Sequence, residues 1–290
     1  MPERKGDAYD YYIAGNEDTD LFEKIFLVDD IVEEICKPDK YFLIGEKGSG
    51  KTAYSVYMSK SDKINSFCSI SLVENTLYQR FLNMKRQKAL ELSSFKDVWI
   101  NLIYLILAEK IRKEYGETFF SSIKYKQLSK AIDVFYSDAF KPEFVNAFEF
   151  VDNASASINS MMKQGLFSTG TKASAETSQK YVEQSFQISL LKIRDGFEKA
   201  FMSVNLKKPT ILFVDGIDAR PRDIDNEQYF ECLVGLVNAV LEMNQSFLKE
   251  KQIKIMLLIR PDIMYKMPVH NMNQKLRNNS VLLNWVTSYR

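Results

Sequence analysis

A short apolar run, Tyr41-Phe42-Leu43-Ile44, is followed at once by Gly45-Glu46-Lys47-Gly48-Ser49-Gly50-Lys51-Thr52, and no other feature constrains the fold of this chain as much. Given glycine at about 7% of residues, the spacing G-x-x-x-x-G-K-S/T arises by chance in roughly one chain in a hundred of this length. A strand before it and a helix after it are the context the pattern needs. Gly45, Gly48 and Gly50 let the backbone wrap a phosphate chain, with the amides of residues 47–52 aimed inward at a helix N-terminus. In that geometry Lys51 reaches the β- and γ-phosphates and the Thr52 hydroxyl is a Mg²⁺ ligand. The expected binding set is Gly45, Glu46, Lys47, Gly48, Ser49, Gly50, Lys51, Thr52 and Ala53. The bland alternative is a glycine-rich strand-to-helix turn with no ligand.

A phosphate loop needs a second acid to hold the metal. Thr210-Ile211-Leu212-Phe213-Val214-Asp215 supplies it, an apolar strand ending in a carboxylate where a parallel sheet binds its ligands. Thr52 and Asp215 are therefore the expected metal ligands. Asp218, three residues on, is placed to orient an attacking water, or is simply an Asp in a turn. Arg260 ends the run Met256-Leu257-Leu258-Ile259, so it too falls on the carboxyl edge, where a guanidinium senses or stabilises a γ-phosphate. Its alternative is a surface pair with Asp262. Lys51, Asp215, Asp218 and Arg260 make up the expected catalytic set.

The rest of the chain is organised around these pieces. Residues 1–20 are polar and read as an arm, with Tyr9, Tyr11 and Tyr12 among acids. Helical spacing covers Leu21 to Ile35, Lys51 to Ser59, a stretch around Phe95 to Lys110, two further stretches near Leu128–Phe135 and Phe144–Val151, one from Val182 to Phe201, and Asn226 to Lys249. Strands are expected at Tyr41–Ile44, Phe67–Leu72, Thr210–Asp215, Ile253–Ile259 and Ser280–Trp285. Alternating strands and helices around a glycine-rich turn predict an α/β fold, a parallel five-stranded sheet flanked by helices. The core is expected from 21–75 and 205–290. Residues 76–204 form a mostly helical insertion between strands two and three, with a Ser/Thr-rich loop at 152–180. At about 135 residues this connection is far longer than an ordinary crossover.

Composition excludes several classes. With 39 Lys plus Arg against 38 Asp plus Glu, coating nucleic acid is not the chain's main work, and Lys85-Arg86-Gln87-Lys88 and Lys207-Lys208 are the only basic clusters. A nucleic-acid partner is thus weakly supported. One histidine, His270, rules out multi-His metal sites. Cys36, Cys68 and Cys232 are far apart and read as buried free thiols. The N-terminus lacks the apolar stretch of a signal peptide, and the most apolar run, Val98 to Ala108, is too short to span a bilayer. A cytoplasmic location without membrane attachment is expected.

Together, Gly45–Thr52, the ILFVDGID of Ile211–Asp218 and the LLIRP of Leu257–Pro261 resemble the additional-strand, catalytic-glutamate division of P-loop ATPases. More narrowly, they are similar to STAND and NACHT-type signalling ATPases and to related bacterial P-loop ATPases found near DNA-repair and phage-defence genes. These segments correspond to the Walker A loop, a D-G-h-D Walker B and a sensor strand ending in Arg-Pro. Asn273 to Trp285 also looks like the bacterial subgroup's fifth-strand region. The likeness covers roughly residues 20–75 and 205–285. Two departures stand out. Ala219 replaces the further acid of the NACHT pattern, which implies slow hydrolysis, and Arg290 falls where such chains continue into a helical or winged-helix lid.

The resemblance implies an Mg²⁺-dependent, slowly hydrolysing ATPase that works as a conformational switch or an oligomerising engine, in bacterial defence or DNA-repair-linked signalling. ATP is favoured over GTP because no N/T-K-x-D segment is present to read guanine. A homo-oligomer or an effector protein is the expected partner, with Arg260 and Arg277 contributing to a site shared between subunits. The arm tyrosines are expected near the adenine. Two alternatives remain: a nucleotide-stabilised scaffold docking a protein or nucleic acid through the insertion, and a small-molecule phosphotransferase.

Overall fold

The computed structural model describes residues 29–73, 94–120, 125–139, 190–218, 226–267 and 278–283, with isolated positions 8, 10, 22, 24, 26, 220 and 276. The chain divides into two compact units, one of residues 1–73, 206–219 and 240–290, the other of residues 74–205 and 220–239.

In the first unit, helix α1 (Asp30–Cys36) precedes strand β1 (Phe42–Gly45), and helix α2 (Lys51–Lys60) precedes β2 (Phe67–Leu72). Strands β3 (Thr210–Asp215), β4 (Ile253–Ile259) and β5 (Ser280–Leu283) complete a five-stranded sheet in the order β2-β3-β4-β1-β5. Every pairing is parallel, with Leu43 level with Leu258 and Val281, and Phe213 level with Ile70 and Met256. The fold is therefore α/β, a parallel sheet flanked by helices. Burial on both faces explains the near-continuous apolar strands. On one face Leu43, Ile70, Phe213, Met256, Leu258 and Val281 pack with Val32 and Ile35 of α1 and Val56 and Tyr57 of α2. On the other, Phe42, Leu212 and Leu257 are wholly buried.

The helix expected over 21–35 is divided. Asp29 adopts an extended φ of −134° and accepts from the Ile31 N–H at 3.1 Å, so α1 starts afresh at Asp30. Tyr54 Oη donates to the other Asp29 oxygen at 2.7 Å, fastening that cap to α2. The helix expected to reach Lys249 ends at Asn244. There the Asn244 amide donates to Val240 O and Ile255 O and accepts from Ile255 N–H, tying the helix end to β4.

The second unit is helical in its described parts. It holds α3 (Phe95–Phe120), α4 (Lys126–Ala139), a helical stretch over 190–203, and the portion of α5 (Asn226–Asn244) up to residue 239. α3 is interrupted at Gly116, whose φ of 73° lies outside the helical range. Trp99 Nε1–H donates to Cys232 O at 3.0 Å, and Tyr104, Phe135, Phe197 and Phe201 form an aromatic cluster. Phe135, Phe197 and Phe201 are wholly buried, so the cluster is core. The 144–151 helix and the 152–180 loop lie outside the described residues, as does the expected arm apart from Ala8 and Asp10, which are helical.

Gly216 sits just after β3 with φ of +85°, and a Cβ there would lie 2.9 Å from Val73 O. Val73 N–H meanwhile donates to Asp215 O at 2.8 Å, so the carbonyl is held in place. Gly216→Ala is expected to cost about 1–3 kcal/mol through strain and overpacking. Denaturant unfolding measures this, and an unchanged midpoint would contradict the geometry.

Candidate phosphate site

The order of the sheet brings the chemistry together. β1, β4 and β3 are neighbours, so Gly45, Arg260 and Asp215 emerge along one stretch of carboxyl edge. Gly45 closes β1, and a Cβ on it would fall 2.2 Å from Ser49 Oγ and 3.0 Å from Leu283 Cβ, so a side chain there would push Ser49 or Leu283 aside. Gly48 and Gly50 take φ of +82° and +90°, a left-handed geometry that side chains resist. Glu46, Lys47 and Gly48 form the exposed crest, Ser49 is buried, and Ala53 packs on the core of the first unit. Gly50 caps α2 without any side-chain hydrogen bond, so the first-turn amides keep the anion-attracting character of a helix N-terminus.

Lys51 is buried, and its Nζ donates to Gly45 O at 2.7 Å and Glu46 O at 3.2 Å. It also stands 3.9 Å from Asp218 Oδ2. Burial pulls the ammonium below the usual lysine range, while the Asp218 and Asp215 carboxylates work against that shift. Thr52 Oγ1 donates to Asp215 Oδ2 at 2.6 Å, and Asp215 Oδ1 accepts from Gly216 N–H at 2.7 Å. Thr52 and Asp215, 163 positions apart, thus meet as a hydroxyl–carboxylate pair.

Asp218 occupies the turn after β3, with its Oδ1 buried and without a hydrogen-bond partner. Burial pushes its carboxyl up to about 6; the Lys51 ammonium opposes this, Asp215 reinforces it, and Arg260 opposes it. Since this exceeds the unfolded value near 4, the fold favours the protonated acid. Its contribution to stability is intact below about pH 4 and is lost as pH rises through about 6. The wild type should therefore lose on the order of 1–3 kcal/mol relative to Asp218→Asn across that window, a range already net of the Lys51 charge. Melting curves from pH 4 to 7 test this; a constant difference would contradict the buried acid.

Arg260 is taken up by its neighbour, with Nε and Nη2 donating to the two Asp262 oxygens at 2.9 and 2.8 Å. The pair that the sequence offered as the alternative is thus formed, and the guanidinium makes a fork with Asp262. Arg277, the arm tyrosines and the 85–88 cluster lie outside the described residues, whereas Lys207 and Lys208 are exposed.

Among the described residues, no group of three or more His, Cys, Asp and Glu side chains could hold a metal ion. The hard oxygens of Thr52 and Asp215 fit Mg²⁺ in a different way. That ion keeps several waters and takes one or two protein oxygens together with substrate phosphates. Among the same residues no helix is long and apolar enough to cross a membrane.

One residue the sequence did not flag is Lys254, buried within β4 and donating to Ile35 O and, at 2.8 Å, to Lys37 O at the end of α1. The available signal was a lone cation inside the apolar run Ile253–Ile259.

No protein-family model, curated protein or solved structure matches the chain.

Proposed function

We propose that the chain is an Mg²⁺-dependent P-loop ATPase that binds ATP and hydrolyses it slowly, acting as a conformational switch or an oligomerising engine. The observation that carries this reading is the convergence of Lys51, Thr52, Asp215 and Asp218 at the N-terminus of α2, whose cap Gly50 makes no side-chain hydrogen bond. The position of β4 between the loop-bearing β1 and the acid-bearing β3 supports the additional-strand division of such ATPases.

Each residue has a role its surroundings suit. Lys51 would exchange the carbonyls of Gly45 and Glu46 for phosphate oxygens. Thr52 and Asp215 would hold Mg²⁺, which neutralises charge on the β- and γ-phosphates. Asp218 would accept the proton of the attacking water as a new O–P bond forms at the γ-phosphorus. The β–γ bridging P–O bond then breaks, and its electron pair stays on the ADP oxygen. Arg260 would have to leave Asp262 to reach a γ-phosphate, which links its engagement to nucleotide state. A role in defence- or repair-linked signalling, with a second copy or an effector as partner, rests on the resemblance of the motifs.

ATP turnover per chain, measured across a range of protein concentrations, tests the engine against the switch. Specific activity that rises with concentration means sites completed by neighbouring copies. Binding with concentration-independent, minimal turnover means a switch. Absence of both ATP binding and turnover overturns the reading.

A further inference from the structure

We propose that the cavity at the opposite, amino-terminal edge of the sheet is a second ligand site, built for a small organic anion headed by a phosphate or a carboxylate. The cavity of about 240 Å³ is framed by the end of α1 and the beginnings of β3 and β4. Lys249 and Lys254 both line it, and among its described lining residues there is no carboxylate. Pro38, Pro209 and Ile253 give it an apolar wall. Drug-sized ligands occupy roughly 300–1,000 Å³, so the occupant here is smaller, a charged head on a body of a few carbons.

Lys254 is the reason to expect a ligand rather than a surface dimple. Level with Ile211 in the sheet, it belongs to the face otherwise filled by Met256 and Leu258. A buried ammonium there costs several kcal/mol unless it is paired. Its bonds to the Ile35 and Lys37 carbonyls offset the negative end of α1 and use two of its three protons. The third is left to donate to an anion, with the Lys249 ammonium at the same cavity. The groups acting on Lys254 are Cys36, Cys68 and Asp39; burial outweighs them and brings the ammonium down to about 8. An anion in contact with it favours the charged form, so binding near that pH takes up a proton.

The test is calorimetric titration with glycerol 3-phosphate, succinate and, as neutral control, glycerol, on the wild type, Lys51→Ala and Lys249→Glu. Lys249 is exposed, so its replacement leaves the core intact. The expected result is saturable binding of at least one anion and none of glycerol, retained in Lys51→Ala and weakened about tenfold in Lys249→Glu. Its heat near pH 8 should vary with the ionisation enthalpy of the buffer, which reports the proton taken up. Binding of only one of the two anions identifies the head group. No anion binding, binding indifferent to Lys249→Glu, or binding lost in Lys51→Ala alone overturns the proposal, the last by assigning the anion to the phosphate loop.

Discussion

Lys51→Ala is expected to abolish ATP binding and turnover while leaving the chain folded. In the free protein Lys51 is a buried cation held by two loop carbonyls and approached by Asp218 at 3.9 Å. Among the described residues, Lys47 is on the exposed crest and Arg260 is forked with Asp262, so neither stands in for it. Losing it removes the charge that reaches the β- and γ-phosphates. The wild type at ATP concentrations of 100 times Kd should gain about 2.7 kcal/mol of stability, and the variant should gain essentially none. Stability without nucleotide should change far less, because removing a desolvated ammonium offsets the lost hydrogen bonds. A variant that still melts higher in ATP would place nucleotide elsewhere on the chain.

Asp215→Asn should separate binding from chemistry. The asparagine keeps the shape of the side chain and one acceptor, so its pairing with Thr52 Oγ1 or Gly216 N–H can partly survive. What it loses is the negative charge that would hold Mg²⁺ beside the phosphates. Turnover is expected to fall by about 10²–10³-fold, the range typical of losing one electrostatic stabiliser of the transition state. Metal-free ATP binding should change little, because Lys51 and the loop amides remain. Titration of turnover against Mg²⁺ makes the measurement; an unaltered Mg²⁺ dependence would take Asp215 out of the metal site.

Several parts of this site were legible in the sequence, for physical reasons that differ. The loop was legible because its glycines answer a local demand, the left-handed turns at Gly48 and Gly50 and the close return of Ser49 toward Gly45. Asp215 was legible because the strand before it is an apolar run buried on both faces, so the acid that closes the run marks the strand's carboxyl end. The order of the strands was not, since β1 and β4 are joined by contacts more than 200 residues apart that no local pattern encodes. The environment of Asp218 was also hidden, because a D-G-h-D turn does not say which way the second acid points. The division of the first helix at Asp29 was missed because helical spacing and capping compete at one residue. There the side-chain bond to Ile31 N–H wins. Arg260 shows a different limit: its partner stood two positions away in the sequence, and periodicity alone could not choose between Asp262 and a phosphate.

The most direct measurement is the melting temperature of the purified chain in Mg-ATP, compared with Mg²⁺ alone and with Mg-GTP. The account predicts a rise with ATP that grows with its logarithmic concentration and is larger than the rise with GTP. Identical melting in all three conditions would contradict it, leaving Gly45–Thr52 as a glycine-rich turn between a strand and a helix.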